Sequence, residues 1–141
     1  MKVLALDYGS ARTGVAVSDP TGTIVRPLGV VERVGTSAGF ERLQALIAEE
    51  APDRVLVGLP LTLKGEYGAQ AEETETFARR LQDVLDCRVE LFDERFTSVL
   101  ADGDDAQAAA HLLSSYLEWS RGRRWRSGST RYGRSRSRNG T

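Results

Sequence analysis

The sequence is short of cysteine, of histidine and of long apolar runs, and each shortage excludes something. A single cysteine, Cys87, in 141 residues rules out an internal disulfide and a cysteine-based zinc site. The one histidine, His111, falls in a helical stretch away from the acidic residues discussed below and reads as surface or packing. No segment approaches the roughly 18 apolar residues of a membrane span. The first carboxylate, Asp7, arrives after too few apolar residues for a secretory leader. A Walker-type Gly-Lys-Ser/Thr phosphate loop is also missing. What is present is ordinary globular composition, 40% hydrophobic and 28% charged, at the length of one domain. These features predict a cytoplasmic protein with no membrane association.

The net charge of −1 conceals a division. Positions 1–118 hold all 20 acidic residues against 11 Lys/Arg, a balance of −9, whereas positions 119–141 hold eight arginines and no acid. The expected organisation is a folded domain over 1–118 and a disordered Arg/Ser/Gly-rich tail over 119–141, because the latter composition cannot bury a core. An acidic body with a basic tail is a pattern of nucleic-acid or anionic-surface contact. Arg123, Arg124 and Arg126 are candidate phosphate contacts, and Trp119, Trp125 and Tyr132 are candidate stacking partners for unpaired bases.

Along the body, Val3 to Leu6 is an apolar run ending at Asp7 and reads as a buried strand. Tyr8 to Gly14 reads as a turn, Val15 to Ser18 as a second strand, and Thr23 to Val34 as a third, interrupted near Pro27. The period then becomes helical over 37–50, where Phe40, Leu43, Leu46 and Ile47 share a face. Val55 to Leu59 is a continuous apolar strand covered on both faces. A helix over about 69–86 follows, with Glu72, Glu73 and Glu75 on its wet face. Next comes an alternating strand, Arg88 to Phe92, expected at a sheet edge with one wet face. A last helix is expected from Asp105 to Glu118. The order β-β-β-α-β-α-β-α predicts an α/β fold: a mixed five-stranded sheet, an antiparallel meander joined to parallel strands, flanked by helices.

In such sheets ligands gather at the carboxyl ends of the strands. Asp7 and the Asp93-Glu94 pair occupy such ends, and Asp105 opens the last helix on its sheet-facing side. Acids that converge resist ionising together, and a divalent cation is the usual remedy. Magnesium suits a few carboxylates plus water and phosphate oxygens, and two such ions serve phosphodiester hydrolysis. The bland alternative is that Asp7 caps a turn, Asp93 and Glu94 are solvated, and Asp105 is a helix N-cap. The Tyr8–Gly14 turn, with Arg12, is a further candidate phosphate cradle.

Three blocks give these residues a context: Leu4-Ala5-Leu6-Asp7-Tyr8-Gly9 through Arg12, Gly14 and Asp19; Val57-Gly58-Leu59-Pro60-Leu61 with Gly65 and Gly68; and Asp93-Glu94-Arg95-Phe96-Thr97-Ser98. A shorter fourth runs from Asp105-Ala106-Gln107-Ala108-Ala109 to Leu117. In this order and spacing the sequence resembles the YqgF/RuvX family of Holliday-junction-resolvase-like proteins, also known as pre-16S rRNA nucleases. The resemblance implies a ribonuclease H-like fold and hydrolysis of phosphodiester bonds of structured RNA, in 5′-end maturation of pre-16S rRNA during ribosome biogenesis. It implies Mg²⁺ or Mn²⁺, two ions, held by Asp7, Glu94 and Asp105 as catalytic acids. Arg12, Lys64, Arg95 and Thr97 would contact the nucleic acid. The partners implied are pre-rRNA or branched DNA and ribosomal precursor particles, with the protein a monomer or weak homodimer. Two other functions stay open: a Holliday-junction DNA resolvase of the same chemistry, and a non-catalytic RNA-binding assembly factor. Only Val99 to Asp104 separate the third block from the last helix, where members usually carry a longer basic segment. Asp104 is the alternative to Asp105 as third ligand.

Overall fold

A computed structural model of the chain describes residues 1–61, 67–94 and 105–123. Five strands, β1 (Val3–Asp7), β2 (Arg12–Ser18), β3 (Val25–Glu32), β4 (Arg54–Leu59) and β5 (Arg88–Asp93), alternate with three helices, α1 (Ser37–Glu50), α2 (Ala69–Val84) and α3 (Asp105–Arg123). The sheet order is β3-β2-β1-β4-β5. The first three strands pair antiparallel, and β4 and β5 extend the sheet parallel to β1. The expected meander and parallel strands are both present.

Side-chain alternation divides the core into two layers. Leu4, Leu6, Val15, Val17, Val55, Val57 and Val89 face α1 and α2, meeting Phe40, Leu43, Ile47, Phe77 and Leu81. Val3, Ala5, Ala16, Leu56 and Phe92 face α3, meeting Ala109, Leu112, Leu113 and Tyr116. Both faces of β1 and β4 are therefore dry, which is why their sequences are unbroken apolar runs. Thr36 caps α1, its hydroxyl accepting from the Gly39 N–H at 3.1 Å, the usual way of satisfying a free N-terminal donor. Among the described residues no helix is long and apolar enough to cross a membrane.

The structure departs from the sequence reading in four places. The turn after Asp7 is shorter than expected, since β2 begins at Arg12 and Gly14 lies inside it, paired with Asp7. β3 runs through Pro27, tolerated at a sheet edge, with Leu28 as an extra residue where the register to β2 shifts between Val15 and Ala16. The third departure concerns the side of β5 expected to be wet, which α3 covers. Glu90 is only 2% exposed, and its Oε1 accepts from Arg54 Nη1 at 2.8 Å and from the Tyr116 hydroxyl at 3.1 Å. Finally, α3 continues past Glu118 to Arg123, and Trp119 packs on Phe92 and Tyr116, with ring centroids 5.6 and 6.2 Å away. Aromatic packing on the sheet outweighs the polar composition that suggested an earlier end.

The Glu90–Arg54 pair is a test of packing at the amino-terminal end of the sheet. Removing one partner of a buried pair leaves an uncompensated charge. Arg54 keeps some water contact, with 24% of its side chain exposed, so Glu90→Ala should cost about 3 kcal/mol, the low end for such pairs. Urea denaturation should show this as a lower midpoint at unchanged slope.

Candidate active site

Because β1, β4 and β5 are parallel, their carboxyl ends share one edge of the sheet. Asp7 closes β1, Asp93 closes β5, and Glu94 follows directly. Asp105 reaches the same edge from the first turn of α3. Two glycines make the approach possible. A Cβ on Gly14, the strand partner of Asp7, would stand 1.8 Å from the Asp105 carbonyl oxygen. A Cβ on Gly58 would stand 2.7 Å from Glu94 Oε2 and 3.0 Å from Leu112 Cδ2. At Gly14 only glycine leaves room for the backbone of α3 to begin over β2, and Gly58 lets the Glu94 side chain lie close over β4.

The resulting electrostatics are those of acids crowded in a partly dry site. The Glu94 carboxyl is pushed up to about 7, by burial first, then by the Asp7 charge, by the hydrogen bond it makes with Asp7, and by Asp93. Asp7 is also raised, by burial and by the Asp105 charge, with the hydrogen bond from Glu94 acting the other way. Burial and mutual repulsion thus oppose ionisation of both side chains together, and a hydrogen bond joins them. A hard divalent cation is the natural relief for that repulsion, since both groups offer only carboxylate oxygens. Asp105 is turned elsewhere: its Oδ2 accepts from Arg12 Nε at 3.1 Å. Among the described residues no three Asp, Glu, His or Cys side chains stand close enough to share one ion. The Arg12–Asp105 pair is exposed on both sides, 57% and 36%. Such a pair is worth at most about 1 kcal/mol, so exchanging its Arg12 contact for a cation costs Asp105 little.

The structure therefore brings Asp7, Glu94, Asp105 and Arg12 to one edge of the sheet. Lys64, Arg95, Thr97, Asp104, Arg124 and Arg126 lie outside the described residues. Arg123 is the last residue of α3, at the end of the helix opposite Asp105.

Sequence reasoning missed Tyr8. Its ring stacks on Phe77 at 4.4 Å, and its hydroxyl donates to Glu73 at 2.8 Å. Burial and Glu73 push the Tyr8 hydroxyl up to about 12. Glu73 is exposed, as expected for the wet face of its helix, and accepts the Tyr8 hydroxyl there. The available signal is the i, i+4 spacing of Glu73 and Phe77, which puts both on one side of α2, together with an aromatic residue that directly follows Asp7.

A mixed sheet in the order β3-β2-β1-β4-β5, with acids at the carboxyl ends of β1 and β5 and at the start of the last helix, defines the ribonuclease H-like class. Thermus thermophilus RuvC shares this fold. The structure "T. thermophilus RuvC in complex with Holliday junction substrate" superimposes with a TM-score of 0.57 at 15% identity, covering 86% of this chain and 95% of that one. A second structure, "Thermus thermophilus RuvC structure", gives 0.53 at 16% identity, covering 86% and 97%. The family model described as "RuvX: Holliday junction resolvase" matches residues 1–119, and the chain belongs to this family. Relatives carry the name "Putative pre-16S rRNA nuclease". One from Chloroflexus aurantiacus is 45% identical over 100 residues, 71% of this chain and 65% of its own length. Another, from Syntrophomonas wolfei, is 35% identical over 84% of this chain and 94% of its own. The chain thus spans slightly less than two thirds of the Chloroflexus relative.

The raised Glu94 carboxyl has a consequence for stability. The folded value of Glu94, about 7, lies above its ordinary 4.5. Its contribution to stability is therefore complete below the ordinary value and is lost as pH rises through the folded one. In EDTA the melting temperature should fall between about pH 4.5 and about pH 7. Glu94→Gln should flatten that decline. A decline equally steep in wild type and Glu94→Gln would show that the Glu94 carboxyl is not raised in the folded protein.

Proposed function

We propose that the protein is a divalent-metal-dependent nuclease acting on structured RNA, with the 5′ end of pre-16S rRNA, carried in ribosomal precursor particles in the cytoplasm, as its substrate. The observation that carries this reading is the hydrogen-bonded contact of Asp7 with Glu94 at the strand ends, with Asp105 close enough to raise Asp7. The three acids offer only oxygen ligands. Asp7, Glu94 and Asp105 would hold Mg²⁺ or Mn²⁺, Asp105 by exchanging its Arg12 contact. When bound, the metal supplies activation of water and stabilisation of the leaving oxygen.

The chain's own residues have separate roles. Asp7 and Glu94 would hold the cation as carboxylates, which would couple metal uptake to pH. Arg12, if freed from Asp105, would present a guanidinium that suits a phosphate oxygen pair. Tyr8 stacks on Phe77 and is tied to Glu73, which fixes the backbone immediately after Asp7. Arg95 and Thr97, directly after Glu94 in sequence, and Lys64 are assigned to further phosphate contacts. Cleavage leaves a 5′-phosphate.

The names of the relatives favour RNA. The family description favours a second substrate, the four-way DNA junction, to which the same chemistry applies. Offering the purified protein both, in Mg²⁺ or Mn²⁺, separates the two. Asp7→Asn and Glu94→Gln should each lower the cleavage rate by at least about 10²–10³-fold, the equivalent of several kcal/mol of lost transition-state stabilisation. EDTA should do the same. Cleavage unchanged in both variants would indicate a contaminant and remove the nuclease reading. Binding without cleavage by the wild type would favour a non-catalytic RNA-binding assembly factor.

A further inference from the structure

The described cations divide by pairing. Several are ion-paired: Lys2 and Arg26 with Glu50, Arg54 with Glu90, Arg12 with Asp105 and Arg79 with Glu75, while Arg88 at the start of β5 is exposed and has no ion pair among the described residues. Arg33, Arg42 and Arg80, all exposed, make no ion pair among the described residues. These three gather beside the acid site, on the side covered by α1 and α2.

Each contact in this group is explicit. Arg33 directly follows β3, whose last residue Glu32 is the strand partner of Arg12. The Arg33 N–H donates to the Ala11 carbonyl at 2.9 Å. Its backbone is left-handed, φ 51°, a strained state for a non-glycine residue. The Thr36 N–H and hydroxyl hold it there, both donating to the Arg33 carbonyl, at 3.0 and 2.8 Å. Arg42 Nη2 donates to the Glu32 backbone carbonyl at 3.0 Å, which returns its guanidinium to the same corner without neutralising it. The Arg80 guanidinium lies 4.0 Å over the Phe40 ring, close enough to Tyr8 for its charge to act on the hydroxyl. Glu32 and Glu41 are neighbours of this group, yet neither forms an ion pair with the three. Glu73 is occupied by the Tyr8 hydroxyl.

We propose that Arg33, Arg42 and Arg80 form a track for the sugar–phosphate strand that leaves the acid site past Tyr8 and crosses the α1–α2 face. The inference rests on the nuclease reading for its ligand, and it specifies which surface of the protein the substrate covers. Arginine is well suited to such a track, because it remains charged at all relevant pH values and its planar fork matches phosphate oxygens. A body with a net charge of −9 over positions 1–118 repels nucleic acid at long range, so unpaired cations next to the acids are needed to hold a strand there.

The test uses the full chain and a fluorescently labelled single-stranded RNA oligonucleotide, with binding followed against salt concentration. Each phosphate contact contributes about 0.7 to the slope of log affinity against log salt on single strands. Arg33→Gln/Arg42→Gln/Arg80→Gln should lower the slope by about 2. A control with the same charge change at the amino-terminal end of the sheet, Lys2→Gln/Arg26→Gln/Arg88→Gln, should change it far less. The triple lysine variant at positions 33, 42 and 80 should recover the salt slope. An equal loss in the glutamine and control variants, or a wild-type slope in the glutamine variant, overturns the track. The two readings fail separately: RNA binding that depends on the three arginines, without cleavage by the wild type, removes the nuclease and keeps the track. Cleavage that depends on Asp7, with binding indifferent to the three arginines, does the reverse.

Discussion

Two carboxyl groups in contact, partly withdrawn from water, cannot both be ionised, and one edge of this sheet is organised around that conflict. The parallel pairing of β1, β4 and β5 puts Asp7 and Glu94 at the same edge. Gly58 removes the side chain that would keep Glu94 away. Gly14 does the same for α3, whose first turn brings Asp105 in as a third negative group. The conflict is eased by the hydrogen bond between Asp7 and Glu94 and by Arg12 on Asp105. The opposite end of the sheet treats a buried carboxylate differently. Glu90 receives Arg54 and the Tyr116 hydroxyl, and its charge is compensated within the fold. One end pairs its buried carboxylate within the fold; the other gathers carboxylates against one another.

Much of this arrangement is legible in the sequence because the determining signals are local. A buried apolar run interrupted by Asp7 marks both the strand and its functional end. The change from alternating to 3.6-residue periodicity marks α1 and α2. Asp105 on the apolar side of its helix points towards the sheet. The misreadings share one cause, the dependence of a residue's role on a partner far away in the chain, most often one on α3. Glu90 alternates as a wet-face residue would and is dry only because Tyr116 lies over it. Trp119 belongs by composition to the basic tail, yet packs on Phe92. Gly14 reads as part of a turn, whereas its requirement comes from Asp105, 91 positions later. The contact of Tyr8 with Glu73, likewise missed, joins residues 65 positions apart.

Charge distribution is organised on the same principle of local exception. The folded body is acidic overall, and some of its cations are paired with carboxylates, as Arg54 is with Glu90 and Arg12 with Asp105. Near the acids, guanidinium groups are presented by backbone carbonyls and aromatic rings, as with Arg42 on the Glu32 carbonyl and Arg80 on Phe40. Those partners orient a cation without cancelling it. Selectivity for a polyanion in such a protein depends less on net charge than on which arginines lack a carboxylate neighbour.

The length of α3 sets a distance. Its 19 residues rise about 1.5 Å each, so Arg123 stands about 27 Å from Asp105. Whatever the arginines after position 123 touch, they start from a point as far from the acids as roughly eight nucleotides of stacked strand. The helix acts as a ruler: any single ligand touching both of its ends would have to span about that distance.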